Sequence, residues 1–190
     1  LWVSDEVITG YGRTGEWFAS TRFDLEPDLV LSAKGLTSGY TPMGAVLVAP
    51  SVAAPFWDGT SGVWRHGYTY SGHPVARAAG LATLELLKRD NLIEQSANLA
   101  PVLEQAIHGL KGTKHVVDIR NCGLTGALQL APRDGDAVIR PFEAGIKLWN
   151  AGFYVRFGGD TLQFGPTFNT KPEQLDTLFN AVGDVLNGLD

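Results

Sequence analysis

Cysteine is almost missing from this chain: Cys122 is the only one. That excludes an internal disulfide framework and suits a reducing compartment such as the cytoplasm. Taken alone, Cys122 is expected to be a small core residue. Histidine is sparse too. His66, His73, His108 and His115 include no pair at the spacing of a zinc-binding helix, so no metal site is expected. No apolar run approaches the roughly 20 residues that span a bilayer, which leaves a membrane role without support. Basic residues are outnumbered, 15 against 20 acidic for a formal charge of -5, and no Lys/Arg cluster is present, so nucleic acid is not an expected partner. A GxxxxGK[ST] phosphate loop is also lacking.

What is present describes a globular chain. Its 190 residues are 44% hydrophobic and 18% charged, enough for one large domain or one and a half. It opens at Leu1-Trp2-Val3, inside an apolar strand-like run without a methionine, so a cut through a sheet is expected, with the protein's first half lying before it. Leu1 to Val3, Asp28 to Leu31 and Met43 to Val48 read as buried strands of an α/β fold. Pro74 to Lys88 reads as a buried helix opened by proline, and Ile93 to Leu110 as a second helix, the two forming a bridge. After Gly112 the pattern changes to strands at Val116 to Arg120 and Leu124 to Leu130, and a helix near Pro141 to Asn150. A strand pair follows, Phe153 to Arg156 with Thr161 to Phe164, around Gly158-Gly159-Asp160, and then a closing amphipathic helix from Pro172 to Leu186. This second stretch predicts a small α+β domain.

Three features suggest one kind of site. The first strand delivers Asp5 to its C-terminal end, where open α/β sheets place their chemistry. The second runs into Ser32-Ala33-Lys34-Gly35, which sets a lysine just past a strand end among small neighbours. The turn His66-Gly67-Tyr68-Thr69-Tyr70-Ser71-Gly72-His73-Pro74 offers hydroxyls and N–H groups before a helix, a favourable place for an anion. An amine, a carboxylate and phosphate donors are what pyridoxal phosphate needs. Each residue has an ordinary alternative: Lys34 as a solvated charge, Asp5 as a loop carboxylate diluted by Glu6, Thr69 as turn chemistry. Arg156, on a strand beside a glycine-rich hairpin, could clamp a carboxylate or form a surface salt bridge.

The motifs then carry a resemblance. Asp5-Glu6-Val7-Ile8-Thr9-Gly10-Tyr11-Gly12-Arg13-Thr14-Gly15, Ala33-Lys34-Gly35, Pro42-Met43-Gly44-Ala45 and Thr69-Tyr70-Ser71-Gly72-His73-Pro74 resemble, in order and spacing, the class III (omega) aminotransferases of fold type I. Asp118-Ile119-Arg120-Asn121, Arg140-Pro141-Phe142-Glu143 and Phe153-Tyr154-Val155-Arg156-Phe157 extend it over the whole chain. They narrow it to members that move an amino group from an omega-amino acid such as beta-alanine to pyruvate.

The resemblance implies residues 1–110 as the C-terminal part of a large pyridoxal-phosphate-binding domain with bridging helices, and 111–190 as a small C-terminal domain. It implies that Lys34 holds pyridoxal 5'-phosphate and shuttles the proton between substrate and cofactor carbons. It also implies that Asp5 pairs with the pyridine nitrogen and that Val7, two residues on along the same strand face, packs on the ring. Thr69 would reach the phosphate of a partner subunit's cofactor, so a homodimer or homotetramer with shared sites is implied. Arg156 would take the substrate carboxylate. The stretch Trp57 to Arg65 is shorter than the family's pattern, a departure expected to alter the rim of the substrate entrance. Two other readings stay open: another class III enzyme, a diamine transaminase or an aminomutase, and an inactive truncated remnant.

Overall fold

The computed structural model describes residues 1–190. The chain divides into two compact units, Leu1–Glu94 and Gln95–Asp190, each described by itself below. This division by packing falls sixteen residues before the boundary at 110/111 that the resemblance implies. No helix is long and apolar enough to cross a membrane.

The first unit is built on a three-stranded sheet of order β1-β2-β3, with β1 at Val3–Asp5, β2 at Leu29–Ser32 and β3 at Ala45–Val48. β1 and β2 are parallel, with Asp5 beside Leu31, while β3 returns antiparallel to β2. Parallel neighbours need a long crossover. Here it is the glycine-rich segment and the short helix α1 (Ala19–Arg22). A 3-10 turn, Lys34–Leu36, follows β2, and the helices α2 (Pro50–Trp57) and α3 (Pro74–Arg89) complete the unit.

Three expectations of burial fail in this unit. Leu1, Trp2 and Val3, read as a buried strand, are exposed, and the strand itself starts only at Val3. Val46, Leu47 and Val48 of β3 are exposed, because β3 is an edge strand and nothing in the unit lies over it closely enough to bury them. Helix α3 buries Ala76, Gly80, Thr83 and Leu87, a single stripe at 4-3-4 spacing, and leaves Val75, Leu81 and Leu86 exposed. The small stripe is what lets the helix approach closely. A Cβ at Gly80 would stand 3.4 Å from Met43 Sδ and 3.7 Å from the Leu36 carbonyl oxygen.

The second unit is a four-stranded antiparallel sheet of order β4-β5-β7-β6, with helices packed on it. Its strands are β4 (Val116–Asn121), β5 (Gly126–Leu130), β6 (Arg156–Gly158) and β7 (Thr161–Phe164). Helices α4 (Leu92–His108), α5 (Ile139–Asn150) and α6 (Pro172–Asn187) supply the apolar cover, and the unit boundary falls near the start of α4. Leu99, Leu103 and Ile107 of α4 join Leu175, Phe179, Val182 and Leu186 of α6 over Leu128, Leu130, Leu162 and Phe164 of the sheet. Alternation on the strands and 3.6-residue spacing on the helices point these side chains into one core. Each fully buried leucine contributes roughly 1.5–3 kcal/mol.

Cys122 is not a core residue. It is exposed, because it opens the β4–β5 hairpin turn, where its N–H donates to the Thr125 carbonyl at 3.0 Å. Further along, α5 meets β6 at a notch. A Cβ at Gly145 would lie 2.4 Å from Cδ1 of Phe157, whose ring stands edge-on to Phe142 at 5.5 Å.

Candidate active site

The parallel pairing of β1 and β2 brings two of the expected residues to one sheet edge. Asp5 is the last residue of β1, and Lys34 follows the end of β2 by two residues. Neighbouring strands lie about 4.8 Å apart, so both side chains issue from the same strand ends. Both residues are exposed, and neither enters an ion pair of the structure. Asp5 Oδ1 accepts the N–H of Val7 at 3.1 Å.

Val7 departs from its expected place. It lies in the turn after β1, not on the strand, so alternation along a strand cannot put it on the same face as Asp5. The chain turns because the N–H of Glu6 still pairs with the Leu31 carbonyl at 2.9 Å, while that of Gly10 closes back on the Glu6 carbonyl at 2.9 Å. Val7 remains next to the carboxylate through its own N–H, and its side chain is half-buried.

Glu6, which blurs Asp5 in the sequence, has a separate task. It is 1% exposed, and its carboxylate accepts the N–H groups of Ala19 and Ser20 at 2.9 and 2.7 Å, together with the Thr9 hydroxyl. Phe18 precedes α1 and has no side-chain oxygen to satisfy these first N–H groups. Glu6 does so from the end of β1. Burial, the largest single influence, pushes its pKa up, but the hydrogen bonds from Thr9, Ser20 and Ala19 together outweigh it and hold the value below that of an ordinary glutamate. A depressed carboxylate pKa gives stability that is complete above the ordinary glutamate value and is lost as pH falls through the lower folded value. Glu6→Gln should therefore cost about 1–3 kcal/mol at neutral pH. Urea midpoints of parent and variant measured from pH 7 downward should converge in acid; a gap that persists unchanged would show that the charge of Glu6 is not what the loop uses.

Lys34 itself has φ +32°, an uncommon conformation for a side-chain-bearing residue and a genuine local strain. Its turn is closed by the Leu36 N–H on the Ala33 carbonyl at 2.8 Å and the Thr37 N–H on the Lys34 carbonyl at 3.3 Å. Strain of this kind costs on the order of 1–3 kcal/mol and persists where the surroundings over-determine it.

Thr69 belongs to the same unit but to another segment. It is exposed in the turn that ends at α3, where the Ser71 N–H reaches the Tyr68 carbonyl at 2.9 Å and Ser71 Oγ accepts the Tyr68 N–H at 2.9 Å. Arg156 belongs to the second unit. It is the first residue of β6, paired with Gln163 of β7, and its side chain is exposed and outside every ion pair of the structure. The surface salt bridge that could have explained it is not formed.

The aminotransferase class-III profile matches residues 1–186. The chain is 58% identical over 193 aligned positions to a beta-alanine–pyruvate aminotransferase of Pseudomonas aeruginosa, covering all of this chain and 43% of that protein. It is 59% identical to an omega-amino acid–pyruvate aminotransferase of Pseudomonas putida, with the same coverage. A solved structure described as a transaminase with L-ala superposes on 97% of the chain and 46% of its own, with a TM-score of 0.91 at 31% identity. The chain thus spans less than half the length of the curated relatives it matches. The fold is that of part of a fold-type-I transaminase, and the chain belongs to the class-III aminotransferase family.

Proposed function

We propose that the full-length protein transfers an amino group from an omega-amino acid such as beta-alanine to pyruvate, giving alanine and a semialdehyde. The observation that carries this reading is the delivery of Asp5 and Lys34 to one edge by adjacent parallel strands. Class III aminotransferases depend on pyridoxal 5'-phosphate, and the donor set fits that group: one amine and one carboxylate at neighbouring strand ends, neither committed to an ion pair. When bound, the cofactor supplies an aldehyde that takes up the amino group and a ring that withdraws electrons.

Lys34 is the residue that would hold the cofactor through its amine and, when free, would serve as the base that moves the proton at the substrate carbon. Asp5 would hold the proton on the cofactor's pyridine nitrogen. Val7 would pack on the cofactor's ring, and the Thr69 hydroxyl would help hold the phosphate of a cofactor bound by a partner subunit, in which case the working form would be a homodimer or a larger oligomer. Arg156 binds the carboxylate shared by beta-alanine and pyruvate. Residues 1–110 then belong to the large cofactor-binding domain with its bridging helices, and 111–190 form the small domain. A cytoplasmic location accords with the single cysteine.

The test uses the full-length protein. Incubated with beta-alanine, pyruvate and cofactor, it should accumulate alanine; no transfer from beta-alanine would reject the assignment. Arg156→Ala should lower kcat/KM for beta-alanine by about ten- to a hundredfold, the value of a charge-assisted pair. A primary amine without a carboxylate should lose much less in its own half-reaction under single-turnover conditions. Equal losses for the two amines would show that Arg156 supports the fold instead of the carboxylate.

A further inference from the structure

The glycine-rich segment after β1 has no assigned chemistry in this reading, yet it is ordered and packed. Tyr11 is 7% exposed with φ +63°, its N–H bonds the Trp17 carbonyl at 2.6 Å, and its ring lies 5.5 Å from that of Phe18. Gly12 follows with φ +107°, which only glycine adopts without strain. These constraints fix where the phenol points. Its hydroxyl meets Ser32 Oγ at 3.0 Å inside the unit, two residues before Lys34. Its other end covers the residue after Lys34: a Cβ at Gly35 would stand 3.1 Å from Tyr11 Cβ and 3.2 Å from Cδ2. One side chain therefore grips the chain on both sides of the strained residue.

We propose that Tyr11 is a positioning residue that clamps the turn carrying Lys34 and so sets the direction of its amine. The physical need is clear. A left-handed lysine relaxes unless its neighbours are held, and the amine must reach one point with little freedom to search. β2 holds the turn on one side through Ser32, which is 3% exposed, and α3 covers buried Leu36 on the other. Tyr11 is the side chain that touches the segment both two residues before Lys34, at Ser32, and one residue after it, at Gly35. The inference deepens the proposed function and rests on Lys34 being the amine that takes the cofactor.

The experiment separates the clamp from that reading by two measurements on the full-length protein, with Tyr11→Phe and Gly35→Ala. The first variant removes the hydroxyl and keeps the ring; the second keeps the hydroxyl and crowds the ring with one methyl. Without cofactor, amide hydrogen exchange of residues 33–37 should quicken about three- to tenfold in Tyr11→Phe, the worth of one neutral hydrogen bond, while exchange in the second unit is unchanged. With pyridoxal phosphate added, attachment to Lys34, followed by borohydride quench and peptide mass, should slow by a similar factor while noncovalent uptake is retained. Gly35→Ala should show both effects with the hydroxyl intact. Unchanged exchange and unchanged attachment in Tyr11→Phe would overturn the clamp. Faster exchange with no attachment to Lys34 in the parent would instead overturn the reading of Lys34 and, with it, the purpose assigned to Tyr11.

Discussion

Lys34→Ala in the full-length protein is expected to lower transamination by at least about a thousandfold, because a positioned general base alone contributes roughly a hundred- to ten-thousandfold. Covalent capture of the cofactor is lost as well. The substitution is a clean one in this fold. Lys34 is exposed, so its removal opens no cavity, and its φ of +32° strains alanine in the same way, so the backbone has no new reason to move. The hydrogen bonds that close its turn are made by main-chain groups and stay. Noncovalent cofactor uptake should therefore survive, read as visible absorbance retained through gel filtration. Turnover within tenfold of the parent would reject Lys34 as the amine.

Asp5→Asn should slow the amine half-reaction by about a hundred- to a thousandfold with little change in cofactor content. The amide is close in shape to the carboxylate and offers the same oxygen to the Val7 N–H, now at 3.1 Å, so the turn after β1 is preserved. What disappears is the negative charge. A neutral partner cannot keep the pyridine nitrogen protonated, and the ring then withdraws electrons poorly in the step where a proton leaves the substrate carbon. Single-turnover measurement with beta-alanine isolates that step. A loss of only a few-fold would mean that Asp5 orients the ring without tuning it.

The regular elements were legible because their cause is local and periodic. The α4 stripe of Leu99, Leu103 and Ile107 and strand β7 follow from spacing alone, whereas the partner strand expected at Phe153 to Arg156 is found at Arg156–Gly158, so Gly158 belongs to the strand and not to the turn. Helix α1 was not legible, since the group that satisfies its first N–H donors is Glu6, thirteen residues earlier in the chain. Helix α2 hid behind Pro55, which reads as an interruption although Pro50 opens the helix in the usual first position. The turn at Lys34 follows the same logic. The motif locates the lysine, but its left-handed backbone answers to contacts with Tyr11, which local sequence around position 34 does not contain. For α3, counting apolar residues misled: the side that packs is the one with Ala76, Gly80 and Thr83, where smallness matters more than hydrophobicity.

The notch at Gly145 has a consequence for how this protein can change. The volume that helix α5 gives up there is the volume the Phe157 ring occupies, one residue after Arg156. The two positions thus share a single allotment of space and are free to drift only together, a larger side chain on the helix accompanied by a smaller one on the strand. Variants selected one substitution at a time would find position 145 closed, while a paired library at 145 and 157 would reach neighbourhoods of Arg156 that single changes never visit.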